Sequence, residues 1–316
     1  MMPYPVKRRE LFQRGPAVWA IGACVSMLLV CGALSLAAES RGPMPAVGYV
    51  EQLVGSLESF TIERGGSSVP LALLLPVHAG DRLVVKGAEA VAHLQCGNRR
   101  VRVTERDSPF IVPPNAAPPT FLDRLGTLLI EVGRRLTTQQ ARSVTKVSTS
   151  SRGEEDPLAL PLLQDRMNRL PAQAKTLYLG WTGGVPPYEL RVVSQQPEAR
   201  ELVHRMDLAS QRVAVVLDQP LESGFVRVSV RDREGTQVQG VFEVAETAPP
   251  PSHEELADID LPPPLRTLLL ADEWAKRDPA QWSLYAYQTV TPLADSFEPA
   301  RLLRDCLETV QTCHER

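Results

Sequence analysis

The longest apolar feature of the chain comes first: the 22 residues from Ala17 to Ala38 hold no charged side chain. At about 1.5 Å of rise per residue, a helix of that length spans a hydrocarbon core of roughly 30 Å. The tail before it sets Lys7, Arg8, Arg9 and Arg14 against the single acid Glu10, which holds 1–16 in the cytoplasm and sends everything after Glu39 outward. The pattern therefore predicts a single-pass anchor over 17–38. Ser35-Leu36-Ala37 offers small residues at signal-peptidase spacing, so release after cleavage is the alternative. The run exceeds the usual h-region of about 7 to 15 residues, which favours the anchor. Both readings export the same chain.

Beyond the anchor the period shortens. Val47 to Leu57 reads as short apolar stretches broken by Gly48 and Gly55, and Phe60 to Ile62 follows before a Gly65-Gly66-Ser67-Ser68 turn. Pro76-Val77-His78-Ala79-Gly80-Asp81 sets a corner ahead of Leu83-Val84-Val85. Ala90 to Leu94 and Arg99 to Thr104 then alternate across a hairpin at Cys96-Gly97-Asn98. The pattern predicts a β domain with turn glycines. Gly80 and Asp81 suit a corner, because glycine accepts positive φ and aspartate bonds nearby backbone. Arg99, Arg100 and Arg102 form a candidate binding surface for an anionic group, or a solvated face.

This stretch resembles the FecR-like periplasmic domain. The resemblance rests on Gly48-x-Val50 with Gly55, on Pro76-x-x-x-Gly80-Asp81-x-Leu83, on the small-residue strand Ala88 to Leu94, and on Gly97 leading into Val101 and Val103. It covers 45–112. It implies an extracytoplasmic β module of the bacterial envelope, known in regulators that relay an outer-membrane signal to a sigma factor. Those regulators carry a cytoplasmic anti-sigma domain, whereas 1–16 is too short to bury a core. The implied location is the inner membrane, with the bulk of the chain in the periplasm.

After Pro118-Pro119, the residues Phe121, Leu122, Leu125, Leu128, Leu129, Val132 and Leu136 recur at helical spacing, with Thr120 as N-cap. The first domain with its trailing helix is thus expected over 45–136, and a Ser/Thr-rich linker over 137–175. From Thr176 the period returns to two. Leu177, Leu179 and Trp181 alternate, as do Tyr188, Leu190 and Val192, then Val213, Val215 and Leu217, then Val226, Val228 and Val230, with Val241 to Val244 closing the set. About six short strands over 176–247 predict an antiparallel sandwich that resembles an immunoglobulin or fibronectin type III module, with Trp181 as core anchor. A Pro-rich spacer (248–264) and a helical appendage (265–316) complete the chain. Asp278-Pro279 and Glu298-Pro299 open two of its helices. Trp274, Trp282, Tyr285 and Tyr287 concentrate aromatics there, in the bundle core or on a partner surface. The fold class expected is mainly β.

Composition narrows the function. Net charge is -3 over 316 residues, and no strand or helix carries a sustained basic stripe, so nucleic acid is not an expected partner. The 28 prolines cluster at 113–114, 118–119, 249–251 and 262–264, where they mark joints. Of five cysteines, Cys24 and Cys31 lie in the anchor; Cys306 and Cys313 are expected to be too far apart to bridge if one helix holds both, leaving Cys96 as a possible partner for either. The five histidines are scattered, and no Gly-x-Ser-x-Gly, Walker loop or His-Glu-x-x-His occurs. No catalytic residue, cofactor or metal ligand is expected. The expectation is a non-catalytic binding or sensing module whose partner is an envelope protein; the alternative is a structural or glycan-binding protein of the cell wall.

Overall fold

Alternating burial sorts the first described residues into two four-stranded sheets. A computed structural model describes residues 45–114, 119–149, 156–164, 166–195, 198–247, 256 and 258–309, with side chains of the 120–149 helix described through Ala141. The 17–38 segment falls outside them. Among the described residues no helix is long and apolar enough to cross a membrane. The chain is mainly β, with several sheets and a few helices.

The first body contains β1 (Ala46–Val54), β2 (Phe60–Arg64), β3 (Ser67–Pro70), β4 (Pro76–His78), β5 (Arg82–Val85), β6 (Val91–Cys96), β7 (Arg99–Thr104) and β8 (Phe110–Ile111). Its sheets run β4-β1-β6-β7 and β3-β2-β5-β8, antiparallel throughout. Val50, Phe60, Leu83, Ala92, Leu94 and Val103 are buried between them and fix the register, because a one-residue slip would turn each to solvent.

Helix α1 (Thr120–Thr149) lies against β1 and β4 and continues well past the expected end at Leu136. Polar residues sustain it. Thr137 is buried, donating to the Gly133 carbonyl at 2.7 Å and accepting from Leu73 N at 3.0 Å, and Gln140 donates to the Leu53 carbonyl at 2.9 Å. At Gly133 a Cβ would overlap the Leu73 carbonyl, so glycine sets how closely α1 approaches the sheet. Of the linker expected over 137–175, the residues to Thr149 are helical, and Thr137 and Gln140 anchor that extension on backbone groups of the first body.

The second body comprises β9 (Asn168–Pro171), β10 (Thr176–Gly180), β11 (Tyr188–Ser194), β12 (Arg200–Leu208), β13 (Arg212–Val216), β14 (Gly224–Arg231) and β15 (Gln237–Ala245). One sheet runs β12-β11-β14-β15-β9, with β9 parallel to β15, and the other is the antiparallel pair β10-β13. Leu177, Leu179 and Val215 from the small sheet and Leu190, Val192, Val228 and Val230 from the large one belong to the same continuous core. Trp181 is 3% exposed and meets Tyr188 edge-on at 5.3 Å, so this pair fills the core rather than lining a groove.

Among the described residues three named helices follow: α2 (Pro263–Arg277), α3 (Pro279–Val290) and α4 (Glu298–Leu307). Asp278 caps α3, accepting from Gln281 N at 3.2 Å, with Pro279 in the first turn. Instead of hanging as an appendage, these helices join the two bodies: α3 packs on β9 and β10, and α4 packs on β1 and α1. Tyr287 and Trp274 are buried there, while Trp282 and Tyr285 are half-buried. Cys306 is disulfide-bonded and Cys96 is a free thiol, so Cys96, left above as a possible partner, does not pair with it. The partner of Cys306 falls outside the described residues. Helix α4 ends at Leu307, and Cys313 lies outside the described residues.

Candidate functional site

The residues that carry the family resemblance occupy turns and close contacts. Gly55, Gly80 and Gly97 have φ of 111°, 83° and 56°, a region side chains rarely enter. Gly48 is extended, but a Cβ there would overlap the Gln95 carbonyl across the β1–β6 ladder. Asp81 is 2% exposed and acts as a hub. It accepts from Arg64 Nη2 at 2.7 Å, Arg64 Nε at 3.0 Å and His78 N at 2.7 Å, while Arg64 also donates to the Pro76 carbonyl at 2.8 Å. Its oxygens are occupied by the protein itself. That geometry ties the β4–β5 corner to β2 and leaves no carboxylate aimed at a ligand.

The three arginines of β7 divide between two faces, as alternation requires. Arg100 and Arg102 lie on one face, opposite Gln95 and His93 of β6. Arg100 pairs with Glu51 at 2.8 Å and donates to Gln52 at 3.1 Å. Burial raises the Glu51 pKa, partly offset by Arg100. Burial also lowers that of His93, helped by the charges of Arg100 and Arg102. Arg99 lines a separate groove of about 820 Å³, shared with Cys96, Tyr49, Thr120 and Asp260. Burial pushes the Cys96 thiol up, away from the reactive thiolate. The arginines therefore do not converge on one anion.

The strongest polar constellation is one that sequence reasoning missed. Arg212 on β13 donates through Nε to both Glu308 oxygens at 2.9 and 3.0 Å and through Nη2 to Asp305 at 2.8 Å. Tyr287 of α3 donates to Glu308 at 2.7 Å. Burial, with Glu308 adding, pushes the Tyr287 phenol far above its ordinary range, and the hydrogen bonds to Glu308 hold Arg212 charged. Asn168, fully buried, donates to the Leu162 carbonyl and accepts from Leu284 N at 2.8 Å. On the first body's side, Asp272 of α2 is buried between Arg135 of α1 and Lys276, the latter at 3.2 Å. Arg212 and Glu308 lie 96 positions apart, Asn168 and Leu284 116, and Arg135 and Asp272 137, so no local spacing could announce those pairs. Chemically they clamp; none presents a nucleophile beside a base. Among the described residues no group of three or more His, Cys, Asp or Glu side chains could hold a metal ion.

No family model matches the chain, and no curated protein matches it. Among solved structures, it is similar to CopC from Methylosinus trichosporium OB3b, at 19% identity and a TM-score of 0.20 over 25% of this chain and 84% of that one. It is also similar to PcoC, a methionine-rich copper resistance protein from Escherichia coli, at 13% identity and a TM-score of 0.20 over 30% of this chain and 100% of that one.

Proposed function

We propose that this chain is a membrane-anchored, extracytoplasmic binding or sensing module of the bacterial envelope, built from a FecR-like domain and an immunoglobulin- or fibronectin-like domain, and that it holds a protein partner without catalysis. The observation that carries this reading is the use of Gly48, Gly55, Gly80, Asp81 and Gly97: each does the turn or close-contact work that its place in the FecR-like pattern implies. The disulfide at Cys306 adds support, since such bonds persist in oxidising compartments outside the cytoplasm. The seven-strand arrangement, with a five-strand sheet beside the β10–β13 pair, favours the immunoglobulin or fibronectin type for the second domain.

The test has two parts. A reporter fused after Arg316 is expected to be active only when it lies outside the cytoplasm; activity on the cytoplasmic side refutes the topology. The purified full chain is expected to stay in solution when mixed with cell-wall sacculi; co-sedimentation supports a wall-binding role instead.

A further inference from the structure

Strand edges present free backbone N–H and C=O groups, and proteins protect them with charge, proline, short length or a covering element. The described edges of this chain are protected, with one exception. In the first body β4 has three residues, opens with Pro76 and lies under α1; β3 ends in Pro70; β8 has two residues; and β7 carries Arg99, Arg100 and Arg102. In the second body β9 ends in Pro171 beneath α3, and β12 carries Arg200, Glu201, His204, Arg205 and Asp207 along with two register shifts.

The small sheet treats its two edges differently. Trp181 N donates to the Gln211 carbonyl and Leu217 N to the Lys175 carbonyl, so the odd-numbered residues of β10 and β13 face each other across the ladder. The even-numbered ones face outward. On β10, Gln288 of α3 closes the edge: its side chain accepts from Tyr178 N at 2.7 Å and donates to the Tyr178 carbonyl at 2.5 Å. On β13, the outward backbone groups of Ala214 and Val216 have no partner among the described residues. Both side chains are exposed, Val216 at 71%. The strand's one charge, Arg212, is drawn toward Asp305 and Glu308.

We propose that β13 pairs with β13 of a second copy of this chain, antiparallel about a two-fold axis, with Ala214 of one copy opposite Val216 of the other. This register uses every free outward group of both residues, and each donor meets an acceptor. It sets apolar side chains against apolar ones. It also brings Arg212, still 45% exposed on its side chain, alongside the exposed Asp218 of the other copy at both ends of the contact. That charge complementarity favours a second copy over an unrelated strand. A strand-edge contact this short falls below the roughly 1,000 Å² of a stable interface, so the dimer is weak, with Kd between about 10 μM and 1 mM.

Sedimentation velocity of the full chain in a mild detergent tests this. The dimer fraction is expected to rise across that concentration range. Val216→Lys places a charge at the edge, and Ala214→Pro removes an outward N–H while sparing the bonds to β10; each is expected to weaken the dimer about tenfold or more. Excess peptide spanning Arg212 to Asp218 is expected to dissociate it. A monomer at every concentration overturns the proposal, as does a dimer indifferent to Val216→Lys in a variant that keeps its circular dichroism and melting temperature. A monomer that nevertheless binds the peptide overturns self-pairing in favour of a foreign strand.

Discussion

The two β bodies are closed by different means. In the first, the closing contacts are made largely by its own loops: Asp81 reaches Arg64 and His78, and Gly80 N donates to the Val112 carbonyl at 2.9 Å. In the second, groups from the helices and the residue after them complete the structure: Asn168 waits for the backbone N–H of Leu284, the β10 edge for the Gln288 side chain, and Arg212 for that of Glu308. A body closed by its own turns has its stabilising contacts near in sequence. One closed by a distant helix depends on the chain having already returned, so the second body and the helical layer are expected to unfold as one cooperative unit.

The largest break in this comparison is expected at Asn168. Its replacement by Ala orphans the Leu162 carbonyl and deprives Leu284 N of its side-chain acceptor in a fully buried place, at a cost of about 3 kcal/mol. Chemical denaturation should show that loss, and hydrogen exchange should rise in α3 and β9 together. Equal exchange increases confined to β9 would refute the shared unit. Asp81→Ala tests the other side. It removes the acceptor for His78 N and for Arg64, but the Arg64 side chain is 40% exposed and can rehydrate, so about 2 kcal/mol is expected. The exchange increase should stay within β2, β4 and β5.

A smaller effect is expected at Gln288. Replacement by Ala leaves the Tyr178 N–H and carbonyl to water and costs about 1 kcal/mol in thermal or denaturant unfolding. More telling is its second consequence. With β10 opened, the small sheet has two unprotected edges, and the variant should associate beyond any dimer seen for the parent chain.

The difference between the bodies also explains what could be read from the chain alone. Turn positions demand particular residue types: Gly55, Gly80 and Gly97 stand where φ is positive, and Asp81 at its corner, so the first body's turns were visible. Strand β12 was not, because of its nine residues only Val203 is buried and no apolar alternation survives. The extension of α1 was hidden for the opposite reason, since Thr137 and Gln140 look like linker residues until Leu73 and Leu53 are brought beside them. The division of Arg99 from Arg100 and Arg102 follows from strand alternation and could have been read, whereas the open edge of β13 required the register.

The smallest expected effect concerns acid. His93 on β6 faces Arg100 and Arg102 across the ladder to β7, and Gln52 on its β1 side. Burial and the two guanidinium charges hold its pKa below the ordinary 6.5, so the folded chain resists a proton that the unfolded chain accepts. Stability from this residue is therefore full above about pH 6.5, falls as the pH drops through the interval down to the folded pKa, and levels off below it. Glu51, on the neighbouring strand, works in the opposite sense: its raised pKa makes the folded chain hold a proton longer, so its contribution falls as the pH rises from 4.5 through the folded value. Because His93 is only partly shielded, the effect on the melting temperature is a degree or two. His93→Gln should flatten the melting temperature against pH below about 6.5 and leave it unchanged at pH 8, and an equally steep acid limb in that variant would assign the sensitivity elsewhere.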